Sequence, residues 1–201
     1  EWAVRYPDMV KRAAPMAGTA KTTDYLFLLL EAYNAAMTSD PNWKNGNYKS
    51  ASDVVDGLKR LAQLWALTGW STDFFKQEVW RELGFSSVEE FMTGFMASYF
   101  TVMDPNALLS MGWKAQRADV SRMFGGDLKK ALGSIKAKVF VMPIDEDMLF
   151  KVKDCEYEQR MVPNSELRVI KNCGHLGLFD VQPDYMPQID KNLRELLSIR
   201  V

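Results

Sequence analysis

The chain has 201 residues, 47% of them hydrophobic, and 25 Lys and Arg stand against 26 Asp and Glu for a net charge of −1. This is the composition of one medium globular domain or a large piece of a bigger one, with enough apolar surface to offset chain entropy. The balance excludes a strong positive field for nucleic acid or anionic lipid, and no apolar run reaches the ~20 residues of a membrane span.

The chain opens without an initiator Met or a signal-peptide pattern. Glu1-Trp-Ala-Val-Arg-Tyr reads as the last turns of a helix that ends before Pro7. The expectation is a truncated, cleaved or partial chain whose upstream residues are missing. Val10 to Ala17 reads as a short buried strand ended by Gly18, with Pro15 at the strand's end.

Residues 21 to 131 carry helical patterning. Thr22-Thr23-Asp24 can cap a helix through Tyr25-Leu-Phe-Leu-Leu-Leu, and Ala51 to Leu67 is apolar at a 3.6 period. Thr72 to Leu83 and Ser87 to Phe100 repeat that style, with Ser86-Ser87-Val-Glu-Glu90 as a capping sequence. Asp104-Pro105 starts a further helix, and Gly125-Gly126 breaks the pattern before a short helix over 127–134. Met is abundant, and Trp43, Trp65, Trp70, Trp80 and Trp113 all fall in this block. Residues at such spacing build a core, or else line an apolar pocket.

From Ile135 the period changes. Residues 137–143 read as a buried parallel strand, 145–150 as an acidic loop, 153–161 as a helix and 166–171 as a second strand. A loop through Cys173-Gly-His-Leu-Gly177 and an amphipathic helix over 187–199 close the chain. The result is an α/β fold with a parallel sheet and an inserted helical lid. Its parts are 1–20 (helix end and one core strand), 21–125 (lid) and 126–201 (C-terminal α/β core).

Asp147 and His175 each follow a predicted strand, 28 residues apart, one helix and one strand between them. That spacing suits two adjacent parallel strands, and functional groups gather beyond the carboxyl ends of such strands. There an Asp can fix an imidazole's tautomer and stabilise the imidazolium during proton transfer. His175 is the only histidine. The bland alternative is a loop histidine with no catalytic role. Asp145 and Glu146 are read as solvated loop charges, either of which becomes the acid if the register slips.

Ser71 in Gly69-Trp-Ser-Thr-Asp73 imitates a nucleophile elbow but follows a helix, so it reads as an N-cap; Ser110 reads as a lid-helix residue. Arg117 and Arg122 could reach a carboxylate or a CoA phosphate, or else stay exposed and solvated. Cys155 and Cys173 read as reduced thiols of a cytoplasmic protein, since a zinc site needs about four ligands at tighter spacing. No metal site is expected.

The segment Ile135-Lys-Ala-Lys-Val-Phe-Val-Met-Pro-Ile-Asp-Glu-Asp147-Met-Leu-Phe150, with Gly174-His175 after the last strand, resembles the C-terminal part of an α/β-hydrolase of the homoserine O-acetyltransferase-like family. Glu1-Trp-Ala-Val-Arg-Tyr-Pro-Asp-Met-Val10 resembles the helix just after that family's nucleophile elbow, and Asp104-Pro-Asn-Ala-Leu-Leu a lid helix. The resemblance implies a Ser-Asp-His triad in which Asp147 is the acid, His175 the base, and the Ser lies outside this chain. The oxyanion-hole donors would be missing with it. It implies a small-molecule acyl donor and an alcohol or water as acceptor. No cofactor is expected, with acetyl-CoA or another acyl-CoA admitted as co-substrate. Partners would be the upstream segment carrying the nucleophile and a second copy in a homodimer, with no nucleic acid and no membrane. Two departures stand out: Lys151 where the family often has Pro, and Leu176 where it commonly has an Asp that helps hold the amino group of homoserine. An apolar Leu176 points to an uncharged or differently shaped acceptor, or to water. Three alternatives stay open: an esterase on another substrate, a non-catalytic ligand-binding relative, and a two-chain enzyme with the elbow on its partner. Alone, the chain is expected to be inactive, to expose an apolar sheet edge and to fold poorly.

Overall fold

A computed structural model describes residues 1–179 and 185–200. Helix α1 (Trp2–Arg5) is a single turn that stops before Pro7. Strand β1 (Arg12–Ala13) is shorter than the run expected over 10–17. Pro15 is the reason: it has no amide to give to a ladder. Its carbonyl still accepts from the Met142 amide at 2.9 Å, and parallel pairing resumes at Met16, opposite Met142.

Residues Thr23–Arg117 form a compact unit of their own. Helix α2 (Asp24–Thr38) begins where the Thr23 hydroxyl accepts the Leu26 amide. Helix α3 (Val55–Gly69) follows a 3-10 turn over Ala51–Val54 that Ser50 and Asp53 cap reciprocally. Gly57 lets α3 approach α2, since a Cβ there would lie 2.3 Å from the Met37 carbonyl oxygen. Helix α4 (Thr72–Lys76) is capped by Ser71. The helix expected over 72–83 then breaks at Glu78, whose φ of 52° is left-handed, and a 3-10 turn over Val79–Leu83 buries Trp80. Helix α5 (Val88–Phe91) runs through a π-helical stretch, Met92–Ala97, into α6 (Ser98–Phe100). Helix α7 (Pro105–Gln116) carries Pro at its first position and Asp104 as its cap.

The other unit comprises Glu1–Thr22 and Ala118 onward. Residues 118–125, read from sequence as lid, therefore group with the α/β part. The helical pattern expected to continue to 131 is interrupted here. Lys21 pairs antiparallel with Asp119, the Thr22 amide donates to Ala118 O at 2.9 Å, and the Val120 amide donates to Ala20 O at 3.0 Å. Helix α8 (Leu128–Gly133), strand β2 (Lys138–Val141), helix α9 (Val152–Gln159), strand β3 (Ser165–Leu167) and helix α10 (Tyr185–Ser198) follow.

The sheet is parallel in the order β1-β2-β3. Val139 and Val141 bury on one face with Val4, Leu132 and Val162, while Phe140 and Met142 bury on the other with Tyr185, Ile189 and Leu196. Side chains alternate along a strand, so covering both faces produces the unbroken apolar run seen in the sequence. Beyond β3 the pairing goes on: the Ile170 amide donates to Pro143 O at 2.8 Å, and Ile144 bridges Ile170. Pro143 has no amide, so the second strand expected over 166–171 is only partly a regular ladder.

Glu158 of α9 reaches back to the segment before the helical unit. Its carboxylate accepts from the Thr19 hydroxyl at 2.5 Å and from the Ala20 amide at 3.0 and 2.9 Å. Burial outweighs these donors and raises the carboxyl above the ordinary glutamate value.

Candidate active site

The residue sequence Asp147-Met-Leu-Phe makes a tight turn between β2 and α9. Asp147 is fully buried. Its Oδ1 accepts the amides of Leu149 at 2.7 Å and Phe150 at 3.0 Å. An Asp side chain folded onto the backbone two residues on is the usual Asx arrangement, and it fixes the carboxylate before any partner arrives. Its Oδ2 lies 2.9 Å from Nδ1 of His175. A carboxylate only accepts, so Nδ1–H donates and the neutral ring keeps its lone pair on Nε2. The His175 side chain is 15% exposed, and the Phe150 ring lies 5.6 Å from the imidazole.

The sheet brings the two together. β2 and β3 are neighbours, and their extensions stay paired to the ends of both loops. The Asp145 amide donates to Ile170 O at 2.9 Å and the Glu146 amide to Cys173 O at 3.3 Å. The acid loop and the histidine loop are thus stitched by backbone, with Asp147 and His175 just past the last stitch. The carboxylate that meets the imidazole is that of Asp147. Asp145 is engaged elsewhere, accepting the Asn172 amide through Oδ2 at 3.2 Å.

Cys173 is buried, and burial, then the charges of Asp145, Glu146 and Asp147, push its thiol up to about 12. Burial first, then Glu158, also pushes the Cys155 thiol up to about 12. Both are free thiols, and neither is a thiolate near neutral pH. The Ser71 hydroxyl is committed to the Phe74 amide at 3.0 Å, and Ser110 lies inside α7. Trp70 and Trp80 are core, whereas Trp113 is 56% exposed with the Arg117 guanidinium 4.3 Å above its ring. Arg122 is exposed. Leu176, which follows His175 in sequence, is buried.

Sequence reasoning gave no part to the Leu149 and Phe150 amides, the Phe150 ring or the turn at Asn172. Only the first had a signal, the tendency of Asp to bond backbone two residues ahead. Among the described residues, no group of three or more His, Cys, Asp or Glu could hold a metal ion, and no helix is long and apolar enough to cross a membrane.

No protein-family model matches the chain. It is 55% identical over 199 residues to a probable esterase of Corynebacterium glutamicum and 54% identical over 199 residues to an ethyl acetate hydrolase of Pseudomonas veronii. Each match covers 98% of this chain and 57% of the relative, so the chain spans little more than half the length of these proteins. A homoserine O-acetyltransferase of Trichormus variabilis is 26% identical over 204 residues, covering 100% of this chain and 56% of that protein. The crystal structure of an acetylester hydrolase from Corynebacterium glutamicum superposes with a TM-score of 0.97 at 54% identity, covering 98% of this chain and 57% of that one. Fold and matched relatives agree: the chain has the α/β-hydrolase fold, and it is similar both to these esterases and, more distantly, to homoserine O-acetyltransferases.

Proposed function

We propose that this chain supplies the acid and the base of a serine acyl-transfer site, in an enzyme that hydrolyses small esters. The observation that carries the reading is the 2.9 Å contact between His175 Nδ1 and a fully buried Asp147 that two amides already hold. In the reaction, His175 Nε2 takes the proton of a serine hydroxyl supplied from outside this chain. The serine oxygen attacks the ester carbonyl, and the imidazolium returns the proton to the departing alcohol. Water then enters by the same route in reverse and releases the acid. Asp147 holds the ring in the productive tautomer and stabilises the imidazolium without taking the proton.

Hydrolysis is preferred to transfer onto homoserine because of Leu176. A buried aliphatic side chain at the position after His175 cannot pair with an ammonium group. The hydrolase names of the relatives at 54–55% identity support the same choice. No cofactor is required, and an acyl-CoA enters only if the acceptor is an alcohol rather than water. The two unpaired thiols suit a reducing compartment such as the cytoplasm.

The test uses the whole protein that carries this chain, with a short-chain acetate ester as substrate and a serine-directed phosphonate as probe. Wild type should turn over the ester and take up one phosphonate. His175→Ala and Asp147→Asn should each lower kcat by about 10³–10⁴. Full activity in His175→Ala would overturn the reading. Absence of both turnover and adduct in wild type would replace it with a non-catalytic, ligand-binding relative.

A further inference from the structure

Asp145 precedes the acid by two residues, and its side chain is only 23% exposed. Its Oδ2 accepts the Asn172 amide at 3.2 Å, with Lys171 Nζ 3.9 Å away. Its Oδ1 is buried with no hydrogen-bond partner among the described residues. A buried carboxylate oxygen that accepts nothing costs free energy, so an acid kept in that position calls for a compensating use.

The use lies across the sheet. Asn172 has a φ of 63°, in the left-handed region that disfavours residues other than glycine. Something must hold that turn. From one side, Gln188 of α10 grips Lys171 by both backbone groups, accepting its amide at 2.8 Å and donating to its carbonyl at 3.1 Å. From the other side, Asp145 holds the next amide. Only Cys173 and Gly174 then separate the turn from His175, and the Cys173 carbonyl is itself held by the Glu146 amide.

We propose that Asp145 is a positioning residue: by accepting the Asn172 amide it pins the left-handed turn, and so fixes the short span that delivers the imidazole to Asp147. The inference deepens the acyl-transfer reading and takes its functional meaning from it. The charged groups facing Asp145 are Lys171 on the histidine loop and Glu146 and Asp147 on its own, with the Cys173 thiol between the loops.

In the whole ¹⁵N-labelled protein that carries this chain, the His175 ring signals are identified as those lost in His175→Ala. The Nδ1–H held by Asp147 gives a low-field proton whose exchange with water reports how well the ring is held. Asp145→Ala should speed that exchange by about tenfold or more. Asp145→Asn should stay close to wild type, because its amide oxygen still accepts the Asn172 N–H. Adding Asn172→Gly to Asp145→Ala should slow the exchange again, since glycine takes the left-handed turn unaided. Unchanged exchange in Asp145→Ala, failure of Asp145→Asn to behave like wild type, or failure of the glycine rescue would each overturn the proposal. If Asp145→Ala does not fold, wild type decides: the Asn172 amide should exchange about tenfold slower than an open loop amide, and exchange at the open-loop rate would overturn the proposal. None of these readouts depends on turnover, so they can fail while His175→Ala still abolishes ester hydrolysis, and the reverse.

Discussion

Trp70 in the helical unit and Asp147 in the α/β unit are equally hidden, at 1% and 0% exposure, and are held by opposite means. Trp70 is wrapped by rings: Phe74 stacks at 4.2 Å, Phe91 and Phe95 meet it edge-on at 5.9 and 6.0 Å, and its indole N–H reaches only the Met96 sulfur. Asp147 is held by three directed hydrogen bonds, two from amides and one from an imidazole. Ring contacts are numerous and individually weak, so they tolerate small shifts and are costly to remove together. Hydrogen bonds to a carboxylate are few and directional, so they specify one geometry. The helical unit is therefore built for bulk stability, and the loops beyond the sheet for placement.

That contrast can be broken. Its largest expected effect is Trp70→Ala, which should cost about 3–5 kcal/mol in urea unfolding followed by circular dichroism. A cost below about 1 kcal/mol would mean the ring cluster is not the support described. Next is Ser71→Ala, which removes the cap of α4 and should cost about 1 kcal/mol in the same titration, with Ser71→Thr recovering most of it. The smallest effect sharpens the comparison from the α/β side. Glu158 has a folded-state pKa above its unfolded one, so its contribution is complete below the ordinary glutamate value of about 4.3 and is lost as pH rises through the raised value. Unfolding free energy of wild type should therefore decline across that window relative to Glu158→Gln. A wild-type profile that rises relative to Glu158→Gln would mean the donors on Glu158 outweigh its burial.

What could be read in the sequence follows the range of each interaction. β2 was visible because both its faces are buried, and the helix starts at Thr23, Ser71, Ser87 and Asp104 were visible because a cap is a contact over three residues. Asp147 and His175 could be paired because each follows a strand, and neighbouring parallel strands put their ends side by side. β1 was overextended because the cost of Pro15 depends on which partner faces it. The break at Glu78, the turn at Asn172 and the pairing of Lys21 with Asp119 depend on partners that local pattern does not name. Glu158 is the extreme case, since its ligands lie 137 to 139 residues away.

The pairing of the two crossings has a consequence for descent. Residues 20–22 and 118–120 run side by side within the α/β unit, so the chain leaves that unit and returns to it at adjacent points. Closing a loop between ends that already touch costs little entropy, and that cost grows only slowly with what the loop contains. The α/β unit can thus exchange one insert for another of quite different size without rebuilding its sheet. A scaffold with this joint can trade inserts while Asp147 and His175 stay where the strands leave them.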